Sequence, residues 1–207
     1  MEANITLNKI TSTERENNVN NGLMATPGIW IGGKIYWLRD SREKLISEEN
    51  ISVIVKERSI HSKTKIHEMF IKNHGEQIRD IKVLFVHHHP EISREVLTFV
   101  APVEKAIFHV MNPLLYLVNG YCQGKMMDQA TVQPLWKVNT ENIWQSLGRG
   151  ILQYQPMAKG MMASIFSLDG TIDVNETCKA SSWTVMGENK KEALQLNQAI
   201  KKALLPI

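Results

Sequence analysis

The chain has 207 residues, 43% of them apolar and 22% charged, enough to bury one full-sized core. A net charge of only +3 argues against a dedicated nucleic-acid binder, which needs a strong basic patch. The two cysteines, Cys122 and Cys178, stand in no recognisable pairing pattern; this argues against a disulfide scaffold or a Cys-based zinc knuckle and makes an intracellular, cytoplasmic protein the expectation.

The opening MEANITLNKITSTERENNVNN is polar, lacks the apolar centre of a signal peptide and predicts a flexible arm over residues 1–24. No apolar run is long enough to span a bilayer. Ile29 to Leu38 alternates around Gly32-Gly33, the pattern of a two-residue hairpin. Ser41 to Glu49 reads as a short helix with Ser41 as N-cap. Ile51 to Val55 is a buried-type strand, and Ile66, Phe70 and Ile71 predict a helix over 63–78. Val83 to Val86 reads as a central strand, and Ser93 to Met111 as a helix broken at Pro102. Beyond Gly120 the methionines cluster. Asp169-Gly170 predicts a hairpin turn within Phe166–Val174, and Ser182 to Met186 a strand. Lys190 to Leu205 carries an apolar stripe at Ala193, Leu194, Leu196, Ile200 and Leu204, and predicts a helix docked on the body.

The stretch Lys82 to Ala101, KVLFVHHHPEISREVLTFVA, places an apolar run before a polar turn and a predicted helix. The free amides of a helix N-terminus favour an anion there, and an arginine can grip two of its oxygens. Ser93, Arg94 and the amide at Ile92 are therefore the candidate anion-binding group. The segment VHHHPEISRE resembles the phosphate loop of the dual-specificity, Cys-based protein phosphatases, with Val86, His87, Ile92, Ser93 and Arg94 in register. Residues Pro27 to Val55 are similar to that family's opening strands through Ile29, Ile31, Gly32, Asp40, Leu45, Ile51, Ser52, Ile54 and Val55.

The resemblance implies an α/β fold, a mainly parallel sheet flanked by helices. It also implies a degenerate member, a pseudophosphatase. His88 stands at the nucleophile position, where no thiolate can form, and is the remaining catalytic candidate. Pro90 removes an amide donor from the cradle, and Glu91 brings a carboxylate to it.

Two further groups offer metal chemistry. His87 and His89, sharing a strand face, could join Glu91 or Glu68 as ligands; a polar loop with solvated imidazoles is the plainer reading. Asp169, Glu176 and Lys179 resemble a PD-(D/E)xK nuclease core, although Glu-Thr-Cys-Lys is one residue longer than the strand spacing that puts glutamate and lysine on one face.

The expected organisation is a phosphatase-like domain over residues 25–125 and an α+β extension over 126–207. The expected function is a protein- or phosphosite-binding module without Cys-based catalysis and without a cofactor. A protein partner or phosphorylated ligand is expected, with neither a membrane nor nucleic acid as partner. The alternative is a metal-dependent phosphoesterase or nuclease using the histidines or the Asp169, Glu176 and Lys179 group.

Overall fold

The computed structural model describes residues 22–39, 41–90 and 96–204. Along the chain run β1 (Met24–Ile31), β2 (Lys34–Trp37), β3 (Glu43–Ile46), β4 (Ile51–His61), β5 (Thr64–Asn73), β6 (Arg79–His88), β7 (Val96–Ala101) and β8 (Ala106–Met111). Then follow β9 (Leu114–Cys122), β10 (Lys125–Met126), β11 (Gln129–Pro134), β12 (Trp144–Ser146), β13 (Ile151–Leu152), β14 (Met157–Gly160), β15 (Met162–Ile172) and β16 (Thr177–Gly187). The helix α1 (Lys190–Leu204) comes last.

Two sheets face each other. The smaller has five strands in the order β11-β15-β6-β1-β2; the larger runs β14-β7-β8-β9-β16-β5-β4-β3, with β10 added on β9. Every pairing between these strands is antiparallel. The late strands enter the centre of both sheets: β15 lies between β11 and β6, and β16 between β9 and β5.

Side-chain alternation explains the layers. On β6, Val83 and Phe85 point between the sheets and pack with Ile29, Ile31, Phe166, Leu168, Ile51, Val53, Met69 and Ile107. Leu84 and Val86 point outward, where Val138, Ile143, Trp144 and Leu152 of the 135–153 segment cover them. The larger sheet is treated alike. Its outer residues Ile66, Phe108, Leu117, Trp183 and Val185 lie under Ala193 and Ile200 of α1. Gly120 permits one close approach: a Cβ there would stand 2.5 Å from the Phe166 ring on the opposite sheet.

An antiparallel β-sandwich replaces the expected α/β fold. The segments 63–78 and Ser93–Met111, expected as helices, hold β5, the hairpin β7–β8 and the turn between them. Ser41–Glu49 holds β3 and a short 3-10 turn. The reason is shared: Ile66, Met69 and Ile71 on β5 are buried on both faces, and a strand apolar on both sides imitates helical spacing. The Asp169-Gly170 pair does not turn the chain, because β15 runs through it in register with Lys82 and Ile81 of β6. The reversal comes at Asp173–Glu176, where Glu176 N–H donates to the Asp173 carbonyl at 3.1 Å.

The resemblance to the dual-specificity phosphatases does not hold, nor does the pseudophosphatase assignment that follows from it. That architecture needs β6 to feed a helix beside a parallel strand. The next described element after β6 is instead β7, and β6 is paired on both sides by antiparallel strands.

Other expectations agree with the structure. Gly32 and Gly33 turn the β1–β2 hairpin with φ of 54° and 91°. Val83–Val86 lies within a central strand, with Phe85 and Val86 buried. The arm expected over 1–24 lies, up to residue 21, outside the described residues; Leu23 is buried and Met24 begins β1.

Helix α1 docks as its stripe predicts. Ala193, Asn197 and Ile200 are buried, and Trp183 Nε1 donates to Asn197 Oδ1 at 2.8 Å. Lys63 Nζ meets Glu192 Oε1 at 2.6 Å, tying the first turn of the helix to the β4–β5 turn. Ile200→Ala is expected to cost about 2–5 kcal/mol of unfolding free energy by urea titration. Asn197→Ala, which strands the indole N–H, should cost about 1–3 kcal/mol.

Candidate functional site

Histidines predicted at the end of β6 meet different surroundings. His87 is fully buried between the sheets; its ring stacks 5.8 Å from Phe166, and its Nε2 lies 3.1 Å from Ser182 Oγ on the larger sheet. His88 points to the other face, with Nδ1 3.0 Å from the His89 carbonyl. His89 is buried, its ring centroid 6.5 Å from that of Tyr116. Ile92, Ser93, Arg94 and Glu91 lie outside the described residues. Among the described residues no group of three or more His, Cys, Asp or Glu side chains could hold a metal ion.

His87 belongs to a polar seam that sequence order conceals. His109 of β8 is fully buried, with Nδ1 3.2 Å from Thr98 Oγ1 and Nε2 2.8 Å from Ser164 Oγ on the smaller sheet. The two imidazole–hydroxyl contacts thus bridge the sheets from opposite sides. His67 of β5 lies beside Ser182 in the pairing register, its Nε2 3.4 Å from Glu57 Oε2. Burial holds all three histidines below their ordinary pKa: His109 at about 3, His87 well below normal, and His67 lowered by burial against the opposing pull of Glu57. The seam is neutral at pH 7 and locks the two sheets together; His87 and His109 are too enclosed to serve a ligand.

The structure separates Asp169, Glu176 and Lys179. Asp169 Oδ1 is held at 2.6 Å by Lys82 Nζ of the adjacent strand. Lys179 projects from the larger sheet to Glu68 Oε1 at 2.8 Å, its ammonium 5.6 Å from the Phe70 ring centroid. Glu68 also receives Arg58 at 3.2 Å, so the carboxylate proposed as a metal ligand is engaged by two cations. Glu176 is exposed in the turn.

A cleft of about 850 Å³ opens beside Asp169. The β7–β8 turn contributes Pro102 and Lys105, the β9–β10 hairpin Lys125 and Met126, and the 145–154 segment Gln145, Leu152 and Tyr154. Its walls are mixed. Val100, Ala101, Ala130, Met127 and Ile151 supply apolar surface, and Asp128 and Asp169 supply carboxylates. Lys82 Nζ lies 2.6 Å from Asp169 and 3.9 Å from Asp128, between the two carboxylates. Among the described residues Lys105 and Lys125 have no ion-pair partner. Tyr154 and the nearby Met157 are exposed, at 61% and 58%. Apart from Asp169, which was expected in a different grouping, none of these residues was legible as a site, because they come from turns and strands distant in sequence. The methionine cluster was the single compositional signal, since Met lines adaptable contact surfaces.

No protein-family model and no curated protein matches this chain. Among solved structures it is similar to an inverting mannosidase from Bacteroides thetaiotaomicron, at 10% identity and a TM-score of 0.47, covering 88% of this chain and 24% of that one. A protein described as a kojibiose phosphorylase from the human microbiome matches at 12% identity and a TM-score of 0.40, over 89% of this chain and 21% of that one. A heparinase III gene product matches at 11% identity and a TM-score of 0.31, over 70% of this chain and 21% of that one. The chain thus spans less than a quarter of the length of each. No described helix is long and apolar enough to cross a membrane.

The seam predicts acid sensitivity. An unfolded histidine titrates near 6.5, whereas His109 folded does so at about 3. Between those values the unfolded chain holds the extra proton, so stability rises with pH there. It should be complete above about pH 6.5 and fall below it by about 1.4 kcal/mol per pH unit for each fully buried histidine. Urea titrations at pH 7 and pH 5 should show this loss, and His109→Gln should reduce the slope by one proton's worth.

Proposed function

We propose that this chain is a binding module whose cleft between the β7–β8 turn, the β9–β10 hairpin and the 145–154 segment takes an extended, negatively charged partner segment, such as an acidic or phosphorylated peptide. The observation that carries this reading is the pair of unpartnered ammonium groups, Lys105 and Lys125, beside an apolar wall. A partner carboxylate or phosphate between them would gain charge-assisted hydrogen bonds, while Met126, Met127 and Tyr154 offer contact area that adapts to side chains. Lys82 offsets Asp169 at 2.6 Å and lies 3.9 Å from Asp128, so the three lysines against two carboxylates leave the cleft one net positive charge.

A binding role also fits the side-chain chemistry of the cleft. Its carboxylates are tied to lysine, and Gln129 donates to the Gly150 carbonyl at 3.1 Å and accepts from Leu152 N–H at 2.8 Å. These groups shape the wall instead of standing ready for proton transfer.

Titration calorimetry with acidic, phosphorylated and neutral peptides of equal length is the test. Acidic and phosphorylated peptides should bind at least tenfold tighter than neutral ones, with affinity falling as salt rises. The Lys105→Glu/Lys125→Glu double variant should lose that preference without a change in Tm, since both side chains are free of structural partners. Equal binding of neutral peptides, or full affinity in the double variant, overturns the reading.

A further inference from the structure

Cys122 ends β9 and Cys178 lies near the start of β16, the strand paired with it. Ala180 is the direct register partner of Cys122, so Cys178 sits one pleat away on the same face. Both side chains point between the sheets, at 0% and 3% exposure, and their sulfurs are 3.4 Å apart. A disulfide requires about 2.05 Å, so an approach of about 1.4 Å separates the dithiol from the cross-link. We propose that Cys122 and Cys178 are a redox-active pair that forms a reversible disulfide joining β9 to β16.

The surroundings give this pair direction and access. Either thiol can donate in their contact, and Cys178, at 3% exposure against 0% for Cys122, is the less enclosed of the two. Cys178 is accordingly the attacking sulfur and Cys122 the resolving one. Gly170 of the facing sheet lies against both: a Cβ there would stand 3.3 Å from Cys122 Sγ and 3.5 Å from Cys178 Sγ. Gly170 also lines a surface cavity of about 330 Å³ with Gln123, Lys125, Asp169 and Thr171. A backbone without a side chain is thus what separates the sulfurs from that recess.

The oxidant is a low-molecular-weight disulfide of the glutathione class. The Cys178 thiolate attacks one of its sulfurs, forming a mixed disulfide and releasing one thiol. The Cys122 sulfur, giving up its proton, then attacks Cys178 Sγ and expels the second thiol. Two protein thiols are oxidised and one small disulfide is reduced to two thiols, so atoms and electrons balance. The product closes a loop across the 56-residue separation, which restricts the unfolded chain. It also anchors the base of the hairpin that carries Lys125.

The test uses the full chain, reduced and then incubated with oxidised glutathione in native buffer, followed by alkylation in denaturant and mass spectrometry. The expected product is a monomer lighter by two hydrogens, with no alkylated cysteine and a peptide linking Cys122 to Cys178. Dithiothreitol should reverse it, and the oxidised form should melt several degrees higher. In Cys178→Ala the melting temperature should no longer respond to the oxidant. Recovery of both cysteines alkylated, arrest at glutathione adducts, a covalent dimer, or cross-linking only in denaturing urea would each overturn the proposal.

Discussion

At their centres both sheets of this sandwich are covered on both faces, although the outer face of β4 stays open to solvent, and much of the rest of the structure follows from that constraint. β6 illustrates it: Val83 and Phe85 face the opposite sheet, while Leu84 and Val86 face the 135–153 segment. From Val83 to Val86 the strand carries no solvent-facing polar residue. Each polar group that enters must find its partner inside. The imidazole–hydroxyl contacts His87–Ser182 and His109–Ser164 are such partners, each reaching from one sheet to the other. They fix the relative placement of the sheets where apolar packing alone would tolerate sliding.

That arrangement dictates where a ligand can be met. The faces are occupied, so the accessible chemistry moves to the sheet edges and turns. The cleft collects Lys105 from one turn, Lys125 from another hairpin and Tyr154 from the covering segment. The same segment that buries Leu84 and Val86 through Leu152 therefore also forms a cleft wall. Loosening its packing would displace Tyr154 and Gln145, so the proposed binding is tied to the stability of this segment.

The helix plays the equivalent covering role on the larger sheet. It closes the outer face over Trp183 and Phe108 and is held at its first turn by Lys63 and at its centre by the Trp183–Asn197 hydrogen bond. Strand β16, which carries Cys178, Ser182 and Trp183, thus supports the dithiol, the histidine seam and the helix dock from alternate faces. No other strand serves so many layers among the described residues.

The sequence by itself determined the elements whose signal is local. The Gly32-Gly33 turn needs positive φ, the stripe of α1 repeats with the helical period, and Val83–Val86 is too apolar to lie at a surface. What only the tertiary structure decided is the direction and partnership of the strands. Ile66, Met69 and Ile71 on β5, and Val96 with Phe108 on β7 and β8, are apolar because layers close on both sides; that pattern is equally legible as helix until the neighbours are known. Asp169-Gly170 reads as a turn from composition, yet ten register contacts between β15 and β6 carry the chain straight through it. The meeting of Cys122 with Cys178 and of His87 with Ser182, and the sharing of one cleft by Lys105 and Lys125, depend on long-range antiparallel pairing, which no local spacing encodes.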